Sequence, residues 1–160
     1  MDITDGCGDG RIADPQIRRF VSYWRDKRGE AAFPSRDAID PLDFRYVLGD
    51  VVLIEARRTA NGAIHPWNFR YRLIGANVVA RDGYDLTHKT IDDLPEPEYR
   101  ERVRSTWLEV CESGAPVYYE RDLLLDHRVR RYAVVVMPLA SNGRDIDMLI
   151  SVQREMPRAA

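Results

Sequence analysis

The segment that most constrains the fold is WNFRYRLIG, residues 67–75, in which apolar and polar side chains alternate up to a glycine. Alternation with a period of two predicts a β-strand with one apolar and one polar face. Such a strand is typical of an antiparallel sheet covered on one side only. Gly75 then lets the strand turn tightly into a helix, at a point where a Cβ would crowd the backbone.

Capping residues and hydrophobic periodicity predict the other elements. Asp14 and Pro15 are typical of a helix start, and Asn61-Gly62 predicts a turn between two strands. Gly83 and Gly114 end two later helices, and Thr90 with Asp93 resembles a capping box. The predicted order is a helix from residue 15, a short helix at 42–48, strands at 51–58 and 67–74, helices at 76–81 and 97–113, and strands at 116–125, 129–139 and 146–154.

Composition indicates an ordinary globular chain without a strongly charged field. Apolar residues make up 44% of the 160 residues, charged residues 31%, and the formal net charge is -2. The charge gives no overall attraction to nucleic acid or anionic lipid, so neither is expected as a partner. The longest plain apolar run, residues 133–137, is too short to span a bilayer. The acidic, glycine-rich start does not resemble a signal peptide, and Cys7 and Cys111 are predicted to be reduced thiols. We expect a cytoplasmic protein.

Three segments resemble the PAS domain family, and in particular a subgroup of short, stand-alone bacterial PAS proteins. FRYRLIGANVVARDGYDLTHKTIDDL is similar to the strand, short helix and turn of the PAS signature. WRDKRGEAAFPSRDAIDPLDFRYVLGDVVLIEA resembles the N-terminal block of the subgroup, and YAVVVMPLASNGRDIDMLISV resembles its last hairpin. His88 departs from the pattern, because the subgroup has a glycine after the D-L-T of residues 85–87.

The resemblance implies an α+β PAS fold, in which helices cover one face of a five-stranded antiparallel sheet. Residues 1–14, in which glycines lie among Asp and Cys with no strand before them, are predicted to be a flexible tail. N-terminal helices are expected at 15–49 and a PAS core at 50–156. A sensory or regulatory module of this kind is not an enzyme and acts in trans through a separate signalling protein. PAS domains often form homodimers through an N-terminal amphipathic helix, so Phe20 and Trp24 are predicted interface residues. The alternative is that Phe20 and Trp24 pack against the chain's own sheet.

A hollow between sheet and helices is the predicted ligand site. A small apolar ligand is one occupant, and the three tyrosines in the wall could bond its polar group. The alternative is that the same side chains simply fill the core. The predicted lining is Phe69, Tyr71, Ile74, Val78, Tyr84, Leu94, Val103, Trp107, Tyr132, Val134, Val136, Met148 and Ile150.

The sequence predicts no cofactor, metal site or catalytic residue. No second glycine follows Gly75 until Gly83, so the Rossmann phosphate-binding pattern is absent. His65, His88 and His127 fall in predicted turns, without metal-ligand spacing. His88 is the only candidate haem ligand, and the cysteine motif of flavin photoreceptors is missing, so neither haem nor flavin is expected.

One enzyme class stays open as an alternative function. Curved antiparallel sheets also enclose the substrates of cone-shaped α+β isomerases and hydratases, which need an acid inside the cone. Glu120 and Asp122 lie on a predicted strand and could supply an inward carboxylate. A buried carboxylate beside Tyr71 or Tyr132 would favour this function.

Overall fold

The computed structural model describes residues 12–157, which form a five-stranded antiparallel sheet with helices on both sides. The strand order is β2-β1-β5-β4-β3, so β2 and β3 are the edge strands. The helices are α1 (Pro15–Arg28), α2 (Ala76–Asp82) and α3 (Pro97–Ser113). The strands are β1 (Val51–Arg58), β2 (Trp67–Ile74), β3 (Val117–Leu125), β4 (Arg128–Leu139) and β5 (Met148–Glu155). Short 3₁₀ segments occupy Arg36–Ala38, Pro41–Asp50 and Ile91–Asp93. The predicted α+β fold class is confirmed.

Local capping chemistry sets the helix ends where the sequence predicted them. The carboxylate of Asp14 accepts hydrogen bonds of 2.9 Å from the amides of Gln16 and Ile17. These bonds satisfy amide groups that have no partner within the first turn of α1. Asp40 caps the segment Pro41–Asp50 in the same way, by accepting from the Leu42 amide at 2.9 Å.

Gly75 is required by the close approach of two backbone segments. A Cβ at this position would overlap the carbonyl carbon and oxygen of Gly49. The contact joins the end of β2 to the end of the segment Pro41–Asp50, and the Gly75 amide donates to the Val51 carbonyl at 2.7 Å. The predicted reason for the glycine, backbone crowding, is therefore confirmed.

Both faces of the sheet are covered, so the predicted single covered face is wrong. On one face α1 and the segment Pro41–Asp50 pack over β1, β5 and β4, and Ile17, Phe20, Val21 and Trp24 are buried there. On the other face α2, the segment Ile91–Asp93 and α3 cover a second apolar cluster. The polar side chains of the edge strand β2, namely Asn68, Arg70 and Arg72, remain exposed.

Phe20 and Trp24 are part of this chain's own core, which corrects their assignment as dimer-interface residues. Phe20 is 0% exposed and Trp24 is 1% exposed. The Phe20 ring packs edge-on against Phe44, with centroids 5.3 Å apart. With α1 in this position neither side chain can reach a second copy.

The boundary of the predicted N-terminal tail also shifts. Residues 1–11 of the predicted tail lie outside the described residues. Ile12 and Asp14 are buried, at 1% and 4% exposure, because Ile12 joins the cluster under α1 and Asp14 caps that helix. The folded part therefore begins by residue 12.

None of the helices within residues 12–157 is both long and apolar enough to cross a membrane.

Candidate functional site

The space between the sheet and α2, Ile91–Asp93 and α3 is where the predicted ligand pocket would lie. Eight of the predicted lining residues are buried in the cluster on this side, and two more, Ile74 and Tyr84, pack against it half-buried. The eight are Phe69, Tyr71, Val78, Leu94, Val103, Trp107, Val134 and Val136.

Met148 and Ile150 do not line this space, which corrects their place in the predicted lining. Successive side chains of a strand point to opposite faces of the sheet. Leu149 of β5 belongs to the cluster under α3, so Ile150 lies on the α1 side and Met148 packs there as well. The apolar run in β5 carried no alternation from which the sequence could have assigned its faces.

Aromatic rings fill most of the space. The indole of Trp107, from α3, packs edge-on against Phe69 at 5.3 Å and against Tyr71 at 5.4 Å between centroids. The cavity that remains, beside Val78 and Tyr84, has a volume of about 20 Å³. That is room for about one water molecule.

The tyrosines beside this small cavity are held in the neutral form. Burial raises the pKa of Tyr71 above its ordinary value, and the nearby Tyr99 hydroxyl adds to the effect. Burial, followed by the charge of Asp82, raises the pKa of Tyr84 to about 12. Both hydroxyls are therefore protonated at neutral pH and can donate hydrogen bonds.

Arg81 is a buried cation that the sequence did not reveal. Its side chain is only 5% exposed, and its Nε donates to Asp82 Oδ1 at 2.9 Å. One Nη2 hydrogen bond of 2.7 Å reaches Gln153 of β5, and the guanidinium lies over the Tyr132 ring at 5.0 Å. Tyr132, a predicted lining residue, thus lies beneath Arg81. A lone arginine near the end of a short helix gives no sequence signal of burial.

No free carboxylate lies beside Tyr71 or Tyr132 among the residues that line the cavity. Asp82 is the acid in the cavity wall, and its carboxylate is paired with Arg81. Asp122 instead pairs with Arg131 at 2.9 Å, which lowers the pKa of that carboxyl, and its side chain is 48% exposed. Glu120 accepts from the Tyr118 hydroxyl at 2.8 Å. The carboxylates considered for an isomerase or hydratase are therefore not placed for that chemistry.

The histidines lie in turns and loops, as the sequence predicted. His88 and His127 have positive φ angles of 70° and 61°. Within residues 12–157 no group of three or more His, Cys, Asp or Glu side chains is arranged to hold a metal ion. Cys111 is buried on α3, and burial raises the pKa of its thiol to about 12.

Comparisons with known proteins agree with this architecture. A family model described as a PAS domain matches residues 12–150. The PAS domain of BvgS from Bordetella pertussis is 15% identical, over 75% of this chain and 89% of that one, with a TM-score of 0.53. A light-oxygen-voltage domain is 9% identical, over 72% of this chain and 83% of that one, with a TM-score of 0.49. The corresponding protein of Rhodobacter sphaeroides is 11% identical, over 76% and 70%, with a TM-score of 0.45. No curated protein matches the chain.

Proposed function

Because this chain belongs to the PAS domain family, we propose that it is a sensory or regulatory module that acts through a separate partner protein. The observation that carries the proposal is the extent of the family match, which takes in residues 12–150 and therefore α1 as well as the sheet. We place the protein in the cytoplasm, and we propose no catalytic step for it.

A series of polar contacts connects α2, on one face of the sheet, to α1 on the other. Asn77, in the first turn of α2, donates to Asp50 Oδ1 at 3.0 Å. Arg154 of β5 donates to Asp50 Oδ2 at 3.2 Å and to Asp14 Oδ2 at 3.1 Å. Asp14 caps α1. A shift of α2 would therefore change the contacts that hold the start of α1, which is a two-state coupling of the kind that a ligand or partner can bias.

A small apolar ligand remains part of the proposal, as an occupant of an opened state. With about 20 Å³ beside Tyr84, entry requires that Trp107 or α2 move away from the sheet. Val78 of α2 lines the same cavity, so the motion that admits a ligand would also displace Asn77 and its contact with Asp50. Native mass spectrometry of protein purified from its own host tests this, because a retained ligand adds its mass to the chain.

We propose the tip of the β3–β4 hairpin as the partner surface. Leu124 and Val129 lie directly opposite each other across the hairpin and are 72% and 64% exposed. The two adjacent apolar side chains on an edge hairpin form a small exposed apolar patch, which a partner's surface would remove from water. This surface also replaces Phe20 and Trp24 as the place where a homodimer would form.

A paired capture experiment tests the proposed function. The wild-type chain, Leu124→Ser/Val129→Ser and Ile64→Ser/Leu42→Ser are used as baits in extract from the host, after crosslinking. The third bait is the matched control, because Ile64 and Leu42 are 93% and 65% exposed and lie elsewhere. We expect one protein, or the chain itself, to be captured by the first and third baits and lost by the second. Equal capture by all three, or none by the wild type together with a strictly monomeric mass in light scattering, would refute the proposal.

A further inference from the structure

A second cavity, larger than the one beside Tyr84, lies outside the sheet along β2. It is an open groove with a volume of about 640 Å³. That volume lies within the range typical of small-molecule sites, about 300–1,000 Å³. We call it the arginine groove, after the basic residues in its wall, which are Arg57, His65, Arg70, Arg72, His88 and Arg104.

Positive charge is concentrated in this groove although the whole chain carries a formal net charge of -2. Four arginines line it against two carboxylates, those of Glu55 and Asp92. Asp92 is already paired with Arg104, at 2.5 Å. Arg57 and Arg72 form no ion pair with any of the residues from 12 to 157. A concave surface with unpaired guanidinium groups focuses a positive field and attracts anions.

Arg104 gives an independent indication that the groove is built to take a ligand. Its side chain is only 6% exposed, although it lines the groove. Its Nε is buried and makes no hydrogen bond, and the Glu101 carboxylate forms only a long ion pair with it, at 3.6 Å. A buried guanidinium N–H without an acceptor is costly, and an anionic oxygen in the groove would supply the acceptor.

His88 also lines the arginine groove. It adopts a φ of 70°, a left-handed conformation that favours glycine. Its amide donates to Tyr71 at 2.8 Å, and its carbonyl oxygen accepts from Arg70 Nη1 at 3.1 Å, so the turn is held against β2. Retaining a strained side chain here places an imidazole in the groove, which is the kind of outlier that accumulates at functional positions.

We propose that the arginine groove binds a small polyanion, a ligand with at least two phosphate or carboxylate groups. Arg57 and Arg72, whose positions along the paired strands are about 13 Å apart, contact separate acidic groups, and Arg104 lines the same volume. The planar guanidinium matches the paired oxygens of both kinds of group. The proposal names the chemical class of ligand that such a sensory module would detect. Binding in the groove stands by itself, and only the role of the bound ligand as a signal rests on the proposed function.

Calorimetric titration of the full-length chain tests the proposal, with pyrophosphate and citrate as separate probes. We expect saturable binding of one equivalent at about 0.15 M salt, where a diffuse surface field is largely screened. The stronger probe identifies phosphate or carboxylate as the preferred group. Arg57→Ala/Arg72→Ala should weaken binding about tenfold or more, since a hydrogen bond to a charged group contributes about 1.5–3 kcal/mol.

The matched control is Arg45→Ala/Arg128→Ala, which removes the same charge from exposed positions outside the groove. It should leave the dissociation constant within about twofold of the wild-type value. Equal weakening in both variants, or no saturable binding of either probe up to about 10 mM, would overturn the proposal. If the anion binds but no partner is captured, the groove is a binding site and the proposed function is wrong. If a partner is captured but no anion binds, the proposed function stands and the groove is not a binding site.

Discussion

The indole nitrogen of Trp24 donates a hydrogen bond of 2.9 Å to the carbonyl oxygen of Pro138. β3 pairs with β4 only as far as Val136, so Pro138 lies beyond the end of that pairing and its carbonyl is available to α1. Because proline lacks an amide hydrogen, the same position would be unsuitable inside a fully paired strand. One bond between residues 114 positions apart thus joins the N-terminal helix to the end of β4.

Replacing Trp24 by Phe should destabilise the fold although most of the apolar contact is kept. The Pro138 carbonyl would lose its donor inside the core, which costs about 1–3 kcal/mol. Chemical denaturation measures the change. Trp67→Phe is the control, because Trp67 is 4% exposed and its indole makes no hydrogen bond with a described residue. If the two variants lose equal stability, the Trp24–Pro138 bond contributes nothing measurable.

Changing Phe20 and Trp24 together to Ser should unfold the chain rather than yield a folded monomer. Each side chain is buried in its own core, and each burial contributes about 1.5–3 kcal/mol before any cavity is counted. Circular dichroism and light scattering of the same sample separate the outcomes. A folded monomer from a dimeric wild type would show instead that α1 leaves the sheet to form the dimer.

Replacing Arg154 by Met should weaken the attachment of α1. The Asp14 carboxylate is only 2% exposed and would lose its cationic partner, so we expect a loss of about 1–3 kcal/mol in unfolding free energy. Arg130→Met is the control, because its ion pair with Glu155 is 3.4 Å long and well exposed, and should cost less than about 1 kcal/mol. Hydrogen exchange should show faster opening of α1 in the Arg154 variant alone; unchanged protection would exclude the polar route from α2 to α1.

Gly75→Ala should be more damaging than an alanine at a glycine with unusual dihedral angles. The new Cβ would overlap the Gly49 backbone, and overpacking of this kind costs typically about 1–3 kcal/mol. Gly62 has a φ of 89° but nothing within 4 Å of its added Cβ, so Gly62→Ala has a backbone cost of about 1–2 kcal/mol and no clash. Thermal melts of both variants rank the two effects. If Gly62→Ala lowers the melting temperature more, the backbone around Gly49 can shift to accommodate the new Cβ at little cost.

Cys111 should react with a thiol reagent only when the chain unfolds. It is 8% exposed, and burial raises the pKa of its thiol to about 12. Labelling is measured in a Cys7→Ser background, because only Cys111 then reacts. We expect the labelling rate at mild alkaline pH to follow the unfolding equilibrium as denaturant is added; fast labelling of the native chain would show an open α3.

The same thiol predicts a loss of stability at alkaline pH. The unfolded chain releases the Cys111 proton near pH 9, whereas the folded chain holds it up to about pH 12. Between those values the unfolded state binds fewer protons, so unfolding free energy falls as pH rises. Cys111→Ala should flatten this part of the stability curve relative to the wild type. If the slope of unfolding free energy against pH is the same in both proteins, the alkaline loss of stability comes from the tyrosines instead.

The elements themselves could be predicted from the sequence because their signals are local. Asp14 and Pro15 start α1, Thr90 and Asp93 close a capping box, and the alternation ending at Gly75 gives β2 at the observed residues. β5 starts at Met148 rather than residue 146, although the Asp147 backbone already bonds to Leu139 and Ala56 of the neighbouring strands.

A local signal for the second covered face was also present. The unbroken apolar runs Val51–Ile54 and 133–137 are typical of strands buried on both sides, whereas alternation in β2 marks a strand with one exposed face. Interpreting the whole sheet by β2 alone led to the prediction of one covered face.

The hydrophobic pattern by itself determined which residues of α1 would be buried, but not the surface against which they pack. Phe20 and Trp24 require an apolar surface, and a second copy or the chain's own sheet satisfies that requirement equally in sequence. Only the tertiary structure decided for the sheet, because the Pro138 carbonyl and the cluster around Phe44 lie where α1 can reach them. The arginine groove has a similar origin: Arg57 and Arg72 lie on the paired strands β1 and β2, but only the tertiary structure brings Arg104 of α3 to the same volume.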